Sequence, residues 1–150
     1  MKVDSPDTPA ELKVRALRYL VRREHSRAEL ARKLAPHAES AEAVEAVLAL
    51  LLSKKQQSDE RFAAERARVL SRKYGAAKIR QDLRARGIAD EVIARMPSEG
   101  ELERARAILA RKYREPAATR EERAKRARFL QGRGFSYEVI KRALSSGEDT

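Results

Sequence analysis

One short cassette occurs twice in this chain. Leu83-Arg84-Ala85-Arg86-Gly87-Ile88-Ala89-Asp90-Glu91-Val92-Ile93 aligns with Leu130-Gln131-Gly132-Arg133-Gly134-Phe135-Ser136-Tyr137-Glu138-Val139-Ile140, 47 residues later. A weaker third copy lies upstream, where Leu30, Leu34, Glu42 and Val44 fall 49 residues before Ile79, Leu83, Glu91 and Ile93. A period of this size marks one supersecondary unit used three times, because a unit this short cannot bury its apolar face alone. The expected fold is all-α: three tandem three-helix repeats, about nine helices, in an elongated, curved array of right- or left-handed sense. Repeat one covers residues 8–57, repeat two 58–97 and repeat three 98–146. Such an array points to an extended binding surface before it points to an active site.

Local signals agree with helices and leave strands nearly unsupported. Thr8-Pro9-Ala10-Glu11 is a capping box with Pro at the first helical position. It opens a helix to about His25, with Leu12, Ala16, Leu17, Leu20 and Val21 on one face. Ser26 and Glu29 cap a second helix, which buries Leu30, Ala31 and Leu34 and ends near Pro36. Ser40 caps a third carrying Val44, Val47, Leu48 and Leu51, and the greasy run Val47–Leu52 reads as a buried helix. Repeat two restarts at Ser58, with Asp59 and Glu60 favourable to the helix dipole and Phe62, Ala63, Val69 and Leu70 on the apolar face. A short helix from Ala76 to Arg86 holds Ile79 and Leu83 and stops at Gly87. Val92, Ile93 and Met96 belong to the next helix, which Pro97 ends.

Repeat three uses Ser98 and Glu101 as a capping box, then a stripe of Leu102, Ala105, Ile108 and Leu109. Thr119 and Glu122 cap a helix that Gly132 and Gly134 end. Phe135, before the N-cap Ser136, is expected to pack on Ile140 as a hydrophobic staple, and Ile88 with Ile93 repeats the device. Ser145 to Thr150 look frayed. The Arg-Lys-Tyr triplets place Tyr74 and Tyr113 39 residues apart, whereas the cassettes are 47 apart. Repeat three therefore holds an inserted stretch near 114–118, either a loop or a longer helix end.

The charge has one sign. Lys and Arg number 34 against 23 Asp and Glu, a formal +11 with a pI of about 10.3. Residues 1–57 carry +3, residues 58–100 carry +3 and residues 101–150 carry +5. A solvated helical surface accounts for the density of charge but not for its sign, since solubility needs charge of either sign. The excess suits a polyanionic partner. With no Cys there is no disulfide frame, thiolate nucleophile or Cys-based zinc site, which fits a cytoplasmic location. No apolar run approaches the roughly 18 residues that a membrane span needs, and no signal-peptide core is present.

Candidate contacts follow from helical spacing. Arg61, Arg68 and Arg72 fall at i, i+7 and i+11, so they share a helix face. Arg80 and Arg84 are four apart, and Arg104 and Arg111 seven apart. Arg72-Lys73-Tyr74 and Arg111-Lys112-Tyr113 set a Tyr beside cations, either to stack on a base or to cover a helix end. Glu42, Asp90, Glu91 and Glu138 open the third helix of each repeat. Carboxylates there serve the helix dipole and would be repelled from DNA, which argues against sequence-specific groove reading. His25 and His37 lack metal-ligand spacing, the adjacent Glu121 and Glu122 point apart, and no Gly-rich phosphate loop occurs. The expectation is a non-catalytic, monomeric binder without metal or cofactor.

Three blocks resemble the RecX family of regulatory proteins. They are Asp59-Glu60-Arg61-Phe62-Ala63, then Ile79-Arg80-Gln81-Asp82-Leu83 followed by Arg86-Gly87-Ile88, then RFLQGRGFSYEVIKRAL from Arg128 to Leu144. The match covers about residues 12 to 144. The first repeat departs from the pattern, since Ala38 stands where Gly87 and Gly134 stand later. The resemblance implies tandem three-helix repeats, binding to RecA filaments on DNA along the filament groove, and modulation, mainly inhibition, of the filament's ATPase, strand-exchange and coprotease activities. The residues expected to face RecA or DNA phosphates are Arg61, Arg68, Arg72, Lys73, Arg80, Arg84, Arg111, Lys112, Arg126 and Arg133. The alternative is a non-specific basic DNA-binding protein that acts by covering DNA. A pure scaffold for protein partners leaves the charge unexplained.

Overall fold

The computed structural model describes residues 5–145, and these form nine α-helices and one 3-10 turn with no strand. The helices are α1 Pro9–Arg22, α2 Arg27–Leu34, α3 Ala41–Ser53, α4 Asp59–Leu70, α5 Ala76–Ala85, α6 Asp90–Ala94, α7 Glu101–Lys112, α8 Arg120–Gly132 and α9 Tyr137–Leu144. Fraying is expected from Ser145, but Ser145 is the C-cap of α9, with its N–H donating to the Lys141 carbonyl and its Oγ to the Arg142 carbonyl. Residues 146–150, with the end of repeat three at 146, lie outside the described residues.

Helix starts follow the capping chemistry. Thr8, Ser26 and Thr119 form complete capping boxes with Glu11, Glu29 and Glu122. Ser40 and Ser136 accept from the N–H groups of Ala43 and Val139, and Ser58 from that of Arg61.

Several expectations need correction. The helix opened by Pro9 stops at Arg22 rather than His25, because Arg23 turns fully extended to bring Ser26 to its capping position. Val21 is 86% exposed and Val69 51%, so neither belongs to an apolar face. In α3, Leu50 and Leu52 are exposed while Val44, Val47, Leu48 and Leu51 are buried. Met96 lies beyond α6, which ends at Ala94. Ser98 and Glu101 form no capping box. The N-cap of α7 is Gly100, left-handed at φ +83°, which starts the helix too late for Ser98 to reach it. Glu101 instead accepts from the N–H of Ala76 at 3.0 Å and from Arg104 at 3.2 Å.

The described chain divides into two compact units. One runs up to Glu65 and includes Arg84–Ala94; the other holds Arg66–Leu83 and the chain from Arg95 onward. In the first, α1, α2 and α3 close on Leu12, Ala16, Leu30, Leu34, Val44, Val47, Leu48 and Leu51. In the second, α7, α8 and α9 close on Ala105, Ile108, Leu130, Phe135, Ile140 and Ala143, which seats the expected Phe135–Ile140 staple in one core. Residues 113–119 join α7 to α8, against 71–75 between α4 and α5, and α8 has 13 residues against 10 in α5.

Each unit contains one copy of the same joint. In the first, Gly87 has φ +88° and lies so close to α2 that a Cβ on it would sit 2.4 Å from the Ala28 Cβ. The neighbouring Arg86 carbonyl accepts from Ser26 Oγ at 2.9 Å. In the second, Gly134 has φ +96°, and a Cβ there would sit 2.7 Å from the Lys78 backbone N. The Arg133 carbonyl accepts from the Gly75 N–H at 2.7 Å, and the Gly134 carbonyl from Ala77 at 3.1 Å. Thus the Arg-Gly turn of one repeat seats on the start of the second helix of the repeat before it. The two glycines are required by their left-handed φ and by the closeness of the neighbouring chain. Repeat one replaces the turn with the 3-10 segment Ala35–His37, after which Ala38 is ordinary extended backbone at φ −94°.

Candidate functional site

Six of the ten expected contact residues gather in the second unit around three aromatic rings. Tyr74 lies in the irregular stretch between α4 and α5, Tyr113 is the first residue past α7, and Phe129 sits on α8. The Tyr113 and Phe129 rings meet edge to face, with centroids 6.1 Å apart at 87°. The Arg126 guanidinium, three residues before Phe129 on α8, lies 4.3 Å from the Tyr113 centroid. Arg133, four residues after it, lies 4.8 Å from Phe129 and 5.6 Å from Tyr74. The Lys112 ammonium is 5.0 Å from Phe129 and 5.7 Å from Tyr113.

Backbone contacts hold the two triplets together. Arg133 Nη1 donates to the Lys73 carbonyl at 3.1 Å, and Arg111 Nη2 donates to the Arg72 carbonyl. Both Tyr residues carry cations on their rings and so orient charge, a use that neither base stacking nor the covering of a helix end describes.

None of Arg72, Lys73, Arg111, Lys112, Arg126 and Arg133 forms an ion pair with a described acidic residue. Glu122, one turn before Arg126, is committed to the Ala118 and Thr119 N–H groups, which hold its carboxyl below the usual range, with Arg126 adding to the effect. An exposed cation–π contact contributes about 0.5–1 kcal/mol, too little to explain the gathering of so many like charges. Its use is geometric. A guanidinium lying over a ring keeps its N–H edge available for a phosphate or carboxylate.

The other four residues are placed differently. Arg61 is paired with Glu24 at 2.9 Å and Arg84 with Asp90 at 2.9 Å, both in the first unit. Arg68 and Arg80 are exposed on α4 and α5. Arg72 lies past the end of α4, so the shared helix face holds for Arg61 and Arg68 only. Phe129 was missed as a site residue, although its spacing of three and four from Arg126 and Arg133 in the Arg128–Leu144 block was a readable signal.

The first unit carries a buried polar node of a different kind. Glu29, 6% exposed, accepts from Arg23 at 3.1 Å, Arg86 at 2.9 Å and the Ser26 N–H at 3.2 Å. Burial alone would push its carboxyl up, but these donors hold it below the usual range. His25 is buried between the Arg23 carbonyl at 3.1 Å and the Lys33 ammonium at 2.9 Å. Lys33 can only donate, so Nε2 accepts and Nδ1 carries the proton. Burial pushes the imidazole below its usual range. Gln57, also buried, donates to the His25 carbonyl and to Asp59, and Asp59 accepts from the Arg27 N–H at the start of α2. Each polar group here is satisfied by a neighbour, which is the pattern of a structural node. Among the described residues no group of three His, Asp or Glu could hold a metal ion, and no helix is long and apolar enough to cross a membrane.

Family models match all three repeats: the RecX first three-helix domain over residues 13–51, the second over 58–96 and the third over 99–144. The regulatory protein RecX of Ralstonia nicotianae is 42% identical over 146 residues, covering 95% of this chain and 92% of the relative. That of Herbaspirillum seropedicae is 44% identical over 144 residues, covering 94% of each. Among solved structures, RecX from Lactobacillus salivarius superposes with a TM-score of 0.81 at 20% identity, over 93% of this chain and 96% of that one, a likeness of fold.

Proposed function

The chain belongs to the RecX family of regulatory proteins, and we propose that it regulates the RecA recombinase by binding RecA–DNA filaments. What supports this reading is the ring-mounted cluster of cations, which has no ion-pair partner among the described residues. Arg72, Lys73, Arg111, Lys112, Arg126 and Arg133 supply the main contact with acidic filament surface or DNA phosphates. Arg68 and Arg80 of the same unit, and Arg61 and Arg84 of the other, supply further contacts. Tandem domains engaging neighbouring recombinase subunits would hinder the movements that accompany ATP turnover, or block growth of the filament end. The protein acts in the cytoplasm as a monomer and performs no chemistry itself.

The test is RecA single-stranded-DNA-dependent ATPase with this protein titrated in, beside a gel shift on the same DNA without RecA. Inhibition is expected well below the protein-to-DNA ratio that coats the strand, and Arg126→Glu with Arg133→Glu removes it while helicity is unchanged. The net charge of +11 favours a second reading, a basic protein that merely covers DNA. Inhibition only at coating ratios, with matching gel-shift affinity, establishes that reading and refutes the first.

A further inference from the structure

The extra residues of repeat three build a cavity that the preceding sections leave unused. Its volume is about 500 Å³, and it lies among α7, the 113–117 connection, α8 and α9. Four arginines line it: Arg106 from α7, Arg114 from the connection, and Arg123 and Arg126 from α8. Glu115 is the one acidic side chain among the described lining residues. The rest of the wall is largely apolar, with Tyr113 beneath Arg126.

Three observations give this cavity a ligand class. First, the side chains of Arg106, Arg114, Arg123 and Arg126 make no hydrogen bond or ion pair with any described residue. Arg15, Arg23, Arg66 and Arg86, by contrast, all hold carboxylates. Second, the Nε of half-buried Arg106 is shut off from solvent with no acceptor among the described residues. A buried donor left unpaired is unfavourable, so no hydrogen bond within the fold holds this side chain in place, and a turn of it toward an acceptor in the cavity would remove that penalty. Third, Arg126 is fixed 4.3 Å above the Tyr113 ring with its N–H edge uncommitted, so part of the ordering cost of binding is met in advance. Planar guanidinium forks match phosphate oxygens, and a lining of four positive charges against one negative fits an anion of several charges rather than a single carboxylate.

We propose that this cavity is an oligophosphate site, taking either two consecutive phosphates of a nucleic-acid strand or the chain of a free di- or triphosphate. Arg106 is its floor, Arg123 and Arg126 its α8 wall, and Arg114 its rim. The proposal deepens the anion-facing reading of this unit and shares Arg126 with it.

Isothermal titration of the full-length protein with inorganic tripolyphosphate at low salt tests it, with a dT15 oligonucleotide as the second probe. One-to-one binding is expected, weakened about tenfold or more by Arg106→Gln and by Arg123→Gln. Arg32→Gln, which removes the same charge from exposed α2, changes it less than twofold. If dT15 affinity also falls tenfold in Arg106→Gln, strand phosphates occupy the site. If tripolyphosphate binds and dT15 does not compete, the ligand is a free oligophosphate. Affinities for both probes that are unchanged in Arg106→Gln and Arg123→Gln, or lowered equally by Arg32→Gln, overturn the proposal. Should Arg106→Gln lose helicity, the exposed Arg114→Gln and Arg123→Gln decide. Tripolyphosphate binding without RecA inhibition refutes the regulatory reading and leaves this site standing.

Discussion

Replacing Gly134 by Ala tests the joint between repeats most directly, because two other glycines of the same unit separate the contributions. Gly134 has φ +96°, and its new Cβ would lie 2.7 Å from the Lys78 backbone N. Gly100 has a similar φ of +83° with nothing within 4 Å of a Cβ. Gly132, the last residue of α8, has helical backbone and the same open surroundings. The left-handed conformation costs a non-glycine residue about 1–3 kcal/mol. Forcing backbone aside adds about 1–3 kcal/mol. Gly100→Ala should therefore lose about 1–3 kcal/mol and Gly134→Ala about 2–6 kcal/mol, always more than Gly100→Ala. Gly132→Ala should be neutral or gain up to about 1 kcal/mol. With a urea dependence of about 2 kcal/mol per molar, Gly134→Ala moves the unfolding midpoint down by about 1–3 M. The assay is urea denaturation followed by far-UV circular dichroism on all three variants. A Gly134→Ala midpoint equal to that of Gly100→Ala would show that the Lys78 backbone yields freely, and the steric account of the joint would fail.

Four other outcomes can be checked. Thr119→Ala should lose about 1 kcal/mol in urea denaturation as its capping box breaks, whereas Ser98→Ala should stay within about 0.5 kcal/mol because Gly100 caps α7. Glu29→Ala should lose about 1–3 kcal/mol in urea denaturation, because the buried carboxylate that joins the Ser26 N–H to the part-exposed Arg23 and Arg86 is removed. His25 is held below its usual range when folded, so the unfolded chain takes up the proton first. Stability should fall as pH drops through about 6.5, and His25→Gln should flatten urea midpoints measured between pH 7.5 and 5.5. Arg133→Gln should weaken dT15 binding and reduce the slope of log affinity against log salt by about 1, measured by fluorescence anisotropy.

Helix starts were legible because a cap is a local event. Ser26 and Glu29 need only each other and the intervening backbone, and so do Thr119 and Glu122. Ser98 and Glu101 have the same spacing and fail because Gly100 between them adopts a left-handed φ that no residue count reveals. Periodicity found the stripes but not their edges. Val21 and Val69 sit at the margin of an apolar face, and whether a margin is covered depends on the neighbouring element. The Arg-Lys-Tyr triplets were visible, yet their meeting around Phe129 joins side chains as much as 59 residues apart, from Tyr74 to Arg133. The glycines of the cassette were read as helix stops. Their seats, at Ala28 and Lys78, lie 59 and 56 residues earlier and carry no mark of their own.

The joint also bears on how such a chain could lengthen. A repeat of the second or third kind contains both a turn that fits its predecessor and a helix start that receives its successor. A tandem duplication of one such repeat would therefore deliver a ready-made attachment to its parent at birth, with no new surface to invent. Ala38 shows the converse: where the 3-10 segment Ala35–His37 makes the turn and the next residue is extended at φ −94°, no left-handed position is demanded and an ordinary residue suffices.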